Sequence, residues 1–424
     1  MPKSSILRLD VRAFRSFREE ASLDIRPLTL LYGYNQAGKS SLLRLLLLLA
    51  DSLQDDAGPL DLRCLALRGA TFKELGWLGR NPELSPWITI KALQVPGKPT
   101  LRAQFADVQG LVVNRLHLIP EGGDKFMADL DGPVTRVGRG IEANYAGTYR
   151  GERWNGQLKF RSLFPSGLPE QAEALAEQVR TALAPLRQMQ WLHANRAGEN
   201  KDESKTTRCC QPSGSDLASL LSGSGEEREA LAAASRWLGQ QPDIGGEIAP
   251  RRAPSGEMQI VHRATEREEL PLHIAGEGLR ALLPVLLCAC WAETRSPAAP
   301  SLIAVEEPEA HLHPSLQVAL FDRLLEMLRT VCNEIPVVLE THSVYLLRAM
   351  QLAVLEGRLA PADVALHWIE QTSDGAGRVA SIEVQSDATL GNWRPDVFEK
   401  EQELAFRILD RRWSALRAKH VGAE

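Results

Sequence analysis

The sequence predicts an α/β fold in which a mostly parallel sheet is assembled from two distant parts of the chain. Short, wholly apolar runs typical of buried strands occur near both ends, helical runs follow them, and a glycine-rich loop joins the first such strand to its helix. The predicted strands are Thr29–Tyr32, Leu302–Val305 and Pro336–Leu339, and the helices that follow are Leu42–Ala50, Ser315–Cys332 and Val344–Glu356.

Composition sets broad limits on function. The 424 residues are 44% hydrophobic and 24% charged, with a formal net charge of −5, which is ordinary for a globular chain with room for two or three lobes. The mild acidity excludes a uniformly basic nucleic-acid coat protein but permits a local basic face. The six cysteines show no C-x-x-C spacing, so we expect no zinc site, no disulfide framework and a cytoplasmic location.

We expect no association with a membrane. The leucine-rich run Leu42–Ala50 is roughly half the length that a spanning helix needs. The first residues, Met1–Ser5, lead into an alternating strand rather than into an apolar signal segment.

Changes in composition and in the pattern of apolar residues along the chain predict four segments. Residues 1–85 form the first part of the α/β unit, 86–256 a β-rich and helical insertion, 257–363 the second part of the unit, and 364–424 a closing hairpin and C-terminal helix. Within the insertion, strands between Pro86 and Phe160, the last of them Tyr145–Trp154, predict an antiparallel layer. Pro169–Gln188 and Glu226–Leu238 are predicted helices, and Gln240–Gly256 is a predicted linker.

The glycine-rich loop carries the strongest functional motif. Residues 33–40 read GYNQAGKS and match G-x-x-x-x-G-K-[ST] at every fixed position, after a buried strand and at the start of a helix. Glycines let backbone N–H groups converge on phosphate oxygens, and the helix N-terminus adds a positive dipole. We expect Lys39 to reach the β- and γ-phosphates and the Ser40 hydroxyl to bind Mg²⁺. The predicted triphosphate site consists of Gly33, Tyr34, Asn35, Gln36, Ala37, Gly38, Lys39, Ser40 and Ser41.

Two adjacent carboxylates end the second buried strand, in the run LIAVEEP at 302–308. Because successive strand residues face opposite sides, Glu306 and Glu307 can serve different roles. We assign Glu306 to the metal, together with Ser40, and Glu307 to the attacking water as general base. His311 and His313 have a spacing found in metal sites, but a loop that packs across a subunit boundary is the favoured interpretation.

Two shorter motifs lie on either side of the acidic strand in the sequence, one before it and one after it. Ala275-Gly276-Glu277-Gly278 places two glycines at a helix start. Thr341-His342-Ser343 follows the third buried strand, where a histidine could meet a γ-phosphate.

The order of these motifs resembles the ABC-type ATPases of the SMC/RecF/OLD branch, and most closely the stand-alone AAA family ATPases of prokaryotic defence loci. Leu9–Phe17, Phe72–Leu75 and Asn392–Phe398 carry further parts of the likeness. The resemblance implies an α/β, split ABC-type P-loop ATPase head with a mixed sheet, an antiparallel β-layer and an inserted helical subdomain. It also implies ATP and Mg²⁺ as ligands.

The resemblance further implies a head-to-tail dimer or larger oligomer closed around ATP. Gly276, Glu277 and Gly278 would be the signature acting in trans on the partner's ATP, and His342 the switch histidine that senses the γ-phosphate. The chain departs from the family pattern in its signature, which lacks a serine, and in having no clear Q-loop glutamine; Phe72–Leu75 is the nearest segment. Trp191–Arg196 stands where relatives carry an arginine motif.

The predicted function is that of an ATP-binding and hydrolysing ATPase acting as a sensor, clamp or effector-holding subunit in anti-phage defence. The segment after His342 lacks the acidic cluster of a nuclease domain, so we expect a separately encoded effector such as a nuclease. The main alternative is a RecF/SMC-like DNA repair or segregation ATPase, and DNA is a candidate partner under both hypotheses. A transporter subunit is a third class, for which a serine-bearing signature would be expected.

Overall fold

The computed structural model describes residues 6–77, 85–108, 110–195, 217, 221, 225–254, 256, 258–264, 269–393, 403, 406–409, 411 and 413. The strands are β1 (Leu7–Arg12), β2 (Ala21–Ile25), β3 (Leu28–Gly33), β4 (Trp87–Ala92), β5 (Thr100–Asp107), β6 (Leu111–Ile119), β7 (Phe126–Val137), β8 (Gly140–Tyr149), β9 (Glu152–Phe160), β10 (Met189–Leu192), β11 (Glu247–Arg252), β12 (Met258–Arg263), β13 (Leu270–Pro271), β14 (Leu302–Glu306), β15 (Val337–Glu340), β16 (Val364–Gln371) and β17 (Gly377–Ile382). The α-helices are α1 (Lys39–Ser52), α2 (Phe72–Leu75), α3 (Glu170–Ala182), α4 (Glu226–Gly239), α5 (Glu277–Glu293), α6 (Pro314–Thr330) and α7 (Val344–Leu355).

A six-stranded sheet forms the centre of the fold, in the order β10-β14-β15-β3-β16-β17. Its neighbouring strands are parallel except for the β16–β17 hairpin, which is antiparallel. Strand β3, which leads into the glycine-rich loop, lies between β15 and β16. The mixed sheet built from distant parts of the chain is therefore confirmed.

An eight-stranded antiparallel sheet forms a second layer, in the order β2-β1-β4-β5-β6-β7-β8-β9. It confirms the antiparallel layer that the sequence predicts, and it recruits the first two strands of the chain as well. The register places Val11 opposite Ile88 on one side of β1 and opposite Ala21 on the other. The first strands thus tie the antiparallel layer to the start of the α/β unit.

Helix α1 is buried between the two sheets because it is apolar on nearly all sides. Leu43 and Leu46 belong to the core shared with the antiparallel sheet, whereas α5, α6 and α7 pack on the opposite face of the central sheet. Adjacent residues of β3 show the division, since Leu31 faces the first core and Leu30 the second. Within the described residues, none of the helices combines the length and apolar character needed to cross a bilayer.

Three predicted elements differ from the structure. Tyr145–Trp154 is a hairpin rather than one strand, because Arg150 and Gly151 both adopt positive φ (55° and 77°) and turn the chain. The predicted linker contains β11, whose proline and arginines lie at the edge of a three-stranded sheet. Strand β10 lies inside the predicted insertion yet joins the central sheet beside β14; its four residues are too short to predict a strand.

Some predicted features lie outside the described residues. Of the predicted C-terminal helix, Leu404–Lys419, only 406–409, 411 and 413 are described, and these are helical. Arg196 and 394–398 are not described.

Candidate nucleotide site

The loop 33–38 wraps the start of α1 in a shape that depends on its glycines. Gly33 has φ +150°, and a Cβ there would lie 1.9 Å from the carbonyl oxygen of Ile369 on β16. Gly38 has φ +113°, and a Cβ would lie 2.8 Å from the Phe17 ring. Gln36 adopts a left-handed conformation with φ 64°. Tyr34, Asn35 and Gln36 are exposed at the tip of the loop, while Ala37 is buried.

Lys39 is folded into this loop. Its side chain is buried, and Nζ donates hydrogen bonds to the carbonyl oxygens of Gly33 at 3.1 Å and Tyr34 at 2.9 Å. Burial lowers the pKa of Lys39, while the nearby carboxylates of Glu340, Glu307 and Glu309 raise it. The first turn of α1 contains no acidic residue, so the ammonium group and the helix N-terminus present positive potential to an anion.

Ser40 contacts a carboxylate that the sequence did not single out. Its Oγ donates a 2.6 Å hydrogen bond to Oε1 of Glu340, the last residue of β15. Glu340 is 5% exposed. Burial, opposed by the bond from Ser40, raises the pKa of Glu340 to about 7, and the neighbouring Glu306 adds to the rise.

Glu306 is engaged elsewhere. Arg44, one turn further along α1, donates from Nε to Oε1 at 2.7 Å and from its terminal nitrogen to Oε2 at 2.9 Å. The guanidinium also lies over the ring of Trp191, 5.8 Å from its centroid. The carboxylate nearest to the Ser40 hydroxyl is therefore Glu340, and the metal role assigned to Glu306 stays a prediction.

Glu307 lies at the turn that leaves β14. Its φ is 47°, a left-handed conformation that costs about 1–2 kcal/mol for a residue with a side chain. Two backbone bonds hold it there: its N–H donates to the Glu340 carbonyl at 2.7 Å, and its carbonyl accepts from the N–H of Ala310 at 3.0 Å. A strained residue held by its surroundings is typical of functional sites.

Glu309 joins the acidic loop to the segment that carries His342. One of its carboxylate oxygens accepts from the His342 backbone N–H at 2.6 Å and the other from the Thr341 hydroxyl at 2.8 Å. Burial raises the pKa of Glu309, and these two bonds oppose the rise. Sequence reasoning missed this residue, although its position within the Glu-Glu-Pro-Glu run was visible.

His342 faces the same cluster of charges. Desolvation of the imidazole and the positive charge of Lys39 lower the pKa of His342, while Glu307 raises it. The net shift is downward from 6.5, so the ring is mostly neutral at pH 7. Lys39, Glu307, Glu340 and His342 are thus brought together, as expected for residues at the carboxyl ends of neighbouring parallel strands.

The predicted signature contacts the loop that follows β14. Gly276 is the N-cap of α5, and Gly276 and Glu277 are exposed. Glu277 lies 3.3 Å from His311 Nδ1, and a Cβ on Gly278 would lie 2.9 Å from the His311 carbonyl oxygen. Among the described residues, no hydrogen bond in the structure joins 276–278 to the phosphate loop. The segment is accessible to a second molecule.

No independent metal centre is formed in the described part of the chain, where no group of three or more His, Cys, Asp or Glu side chains could hold an ion. His313 instead caps α6, its side chain accepting from Ser315 N–H. A Mg²⁺ ion that accompanies a nucleotide needs only one or two protein ligands besides phosphates and water. The Ser40–Glu340 pair fits that requirement.

A cavity of about 350 Å³ adjoins the phosphate loop on the side of Ser41. Arg15, Arg44 and Arg68 line it together with Glu74 of α2. Neither Arg15 nor Arg68 forms an ion pair with a described residue, and burial lowers the pKa of Arg15. The cavity therefore offers positive charge to an anionic ligand. Arg15 belongs to the Leu9–Phe17 segment of the resemblance, but Arg68 carried no signal in the sequence.

Aromatic rings support the loop from the other side. Trp393 packs edge-on against Tyr32 of β3, with ring centroids 5.8 Å apart, and against Trp368 of β16 at 5.4 Å. Trp368 in turn meets Tyr34 of the phosphate loop at 5.3 Å. The start of the predicted motif 392–398 thus packs beneath the nucleotide site.

Part of the chain is similar to a known family of ATPases. A family profile described as "AAA ATPase domain" matches residues 172–347, which include the acidic strand and His342. Among curated proteins, no sequence matches this chain at a significant level.

The solved structures that resemble the chain include three SMC heads. One is an SMC head bound to the C-terminal winged-helix domain of ScpA (13% identity, 89% of this chain and 97% of that chain covered, TM-score 0.47). Another is the SMC head domain of Thermotoga maritima (12%, 89% and 98%, TM-score 0.41). The third is a Pyrococcus furiosus SMC head with an extended coiled coil, bound to the C-terminal domain of ScpA (11%, 97% and 99%, TM-score 0.47).

Proposed function

We propose that this chain binds and hydrolyses ATP with Mg²⁺ and assembles head to tail around the nucleotide. The observation that carries the proposal is the contact set of Lys39: the side chain lies buried in a glycine-dependent loop at a helix N-terminus, facing Glu307, Glu309 and Glu340. A buried ammonium group beside a phosphate-shaped loop and carboxylates at strand ends suits phosphoryl transfer to water.

The residues of the site have different proposed roles in binding and hydrolysis. On binding, Lys39 exchanges its two carbonyl acceptors for phosphate oxygens, and backbone N–H groups of the loop hold the phosphate chain. The Ser40 hydroxyl and a carboxylate at a strand end would hold Mg²⁺, which would neutralise phosphate charge and polarise the γ-phosphate. Glu307 accepts a proton from the attacking water, and a ring N–H of neutral His342 donates a hydrogen bond to a γ-phosphate oxygen.

The exposed signature supports assembly. Gly276 is the N-cap of a 17-residue helix, and both Gly276 and Glu277 are exposed at its start. In a head-to-tail dimer, each signature would close the other subunit's nucleotide site, so ATP acts as a reversible clamp. The proposed compartment is the cytoplasm.

Two variants test this function. Lys39→Ala should abolish binding of a fluorescent ATP analogue. Glu307→Gln should bind ATP normally, hydrolyse it at least about a hundredfold more slowly, and accumulate as an ATP-bound dimer or larger assembly in size-exclusion chromatography with light scattering. Hydrolysis by Glu307→Gln at the wild-type rate would show that the base is misassigned.

The anti-phage role and the separately encoded effector rest on the family resemblance and stay predictions. A neighbouring open reading frame that encodes a nuclease, co-purifying with this chain, would support the defence hypothesis. ATP hydrolysis stimulated by DNA without any such partner would favour the RecF/SMC-like alternative.

A further inference from the structure

Two neighbouring strands of the central sheet end in glutamates that lie side by side. Glu306 at the end of β14 pairs in register with Glu340 at the end of β15. Both face the first turns of α1, but they meet different side chains there. Glu306 contacts Arg44 and Glu340 contacts Ser40, and these two partners are one helical turn apart.

The carboxylate of Glu306 is already fully coordinated by protein. Both of its oxygens accept from the Arg44 guanidinium, at 2.7 and 2.9 Å, and its side chain is only 4% exposed. To bind a cation, Glu306 would have to give up a buried, bidentate ion pair, which is a strong interaction to break.

Only one of the two carboxylate oxygens of Glu340 accepts a hydrogen bond in the described part of the chain. Oε1 accepts from Ser40, whereas Oε2 is buried and has no hydrogen-bond partner in the described part of the chain. The residue is 5% exposed, and none of the ion pairs between described residues includes it. Leaving a buried carboxylate oxygen unpaired is costly, and a hard cation with oxygen ligands would remove that cost.

The Ser40 hydroxyl can donate to Glu340 and bind a metal ion at the same time. A hydroxyl has one proton to donate and two lone pairs to offer. The proton is held by Glu340, so a lone pair is directed away from that bond and remains for a metal ion.

We propose that Glu340, next to Ser40, supplies the protein carboxylate for the Mg²⁺ of the bound nucleotide, directly or through a metal-bound water, and that Glu306 is a positioning residue that fixes α1 through Arg44. This assignment rests on the proposed ATP-binding function. The carboxylate assigned to the metal is then at the end of β15, which leads to His342, and not at the end of β14, which leads to Glu307.

The test measures nucleotide affinity with and without the metal. A fluorescent, non-hydrolysable ATP analogue is titrated into the full chain in millimolar Mg²⁺ and in EDTA. The ratio of the two dissociation constants reports the contribution of the metal. Glu340→Gln keeps an acceptor for Ser40 but removes the charge, and Glu306→Gln is the matched control on the adjacent strand.

We expect Glu340→Gln to lose about tenfold or more of the Mg²⁺-dependent tightening while keeping its affinity in EDTA. Glu306→Gln should keep the wild-type ratio within about threefold. Electron paramagnetic resonance of Mn²⁺ added with the analogue gives a second readout, in which only Glu340→Gln should fail to retain the ion on the protein.

A wild-type ratio in Glu340→Gln, or an equal loss in both variants, overturns the assignment. If Glu340→Gln does not fold, Glu340→Asp is measured instead; a weakened Mg²⁺ dependence supports the proposal and an unchanged one overturns it. Failure of the wild-type chain to bind the analogue in either buffer would overturn the proposed function and the assignment together, and is distinct from the other outcomes.

Discussion

Glu309 holds the backbone of His342: its carboxylate accepts the His342 N–H at 2.6 Å, and its other oxygen accepts the Thr341 hydroxyl at 2.8 Å. The loop after β14 and the loop after β15 are thereby joined at a single side chain. Glu309 thus links the loop that begins at Glu307 to the segment that carries His342.

Removing this link should impair turnover more than binding. Glu309→Ala leaves a backbone N–H and a hydroxyl without their acceptor, which we expect to cost about 1–3 kcal/mol of stability and to reduce kcat for ATP by about tenfold or more. The affinity for an ATP analogue should stay close to wild type, because the phosphate loop is untouched. Glu309→Gln, which retains an acceptor oxygen, should recover most of the turnover in steady-state kinetics; equal losses in both variants would contradict a positioning role.

The Arg44–Glu306 pair should behave as one coupled unit. The two side chains are 19% and 4% exposed, so truncating either one leaves a buried charge and should cost about 3 kcal/mol. The double variant Arg44→Met/Glu306→Leu should cost clearly less than the sum of the single variants. Urea unfolding without nucleotide measures this double-mutant cycle, and additive effects would mean that the pair contributes no coupling.

Glu340 predicts a pH dependence of stability. Its pKa in the folded chain is raised to about 7 from an ordinary 4.5, so the folded state holds the proton more tightly than the unfolded state. The stabilising contribution is fully present below pH 4.5 and is lost as the pH rises through about 7, a change on the order of 3 kcal/mol. In EDTA, wild type should therefore lose more stability than Glu340→Gln over that range; parallel unfolding curves against pH would refute the shift.

Substitutions at the two signature glycines should affect dimerisation and stability differently. A Cβ on Gly276 meets nothing within 4 Å, whereas a Cβ on Gly278 lies 2.9 Å from the His311 carbonyl oxygen. Gly276→Ala should leave the unfolding free energy within about 0.5 kcal/mol but weaken ATP-dependent dimerisation of the Glu307→Gln chain. Gly278→Ala should lower stability even in the monomer. Undisturbed dimerisation of Gly276→Ala would argue against a trans contact at this helix start.

Local features of the site could be predicted from the sequence. The motif at 33–40, between an apolar run and a helical one, is enough to predict a phosphate-binding loop, although the close approaches at Gly33 and Gly38 come from Ile369 and Phe17 elsewhere in the chain. The apolar runs of β14 and β15 are fully buried, and such runs predict central strands.

Features that depend on strand order could not be predicted. Glu340 directly precedes Thr341 in the sequence. No local pattern shows that β15 lies between β3 and β14, which is the arrangement that brings Glu340 to Ser40. The pairing of Arg44 with Glu306 spans 262 positions, a separation at which sequence spacing carries no information. Strand β10 was missed for a related reason, because its four residues form a strand by pairing with β14, more than a hundred positions further along the chain.

The position of β3 has a consequence for how the chain matures during synthesis. Leu28 pairs with Val337 on one side and with Val364 on the other, so the strand has no permanent neighbours until more than three hundred further residues have been made. Contacts of such long range form late and slowly. The phosphate loop is therefore synthesised long before the strands that flank β3, and we expect a nascent chain that ends before β16 to lack the contact between Gly33 and Ile369 that shapes the loop.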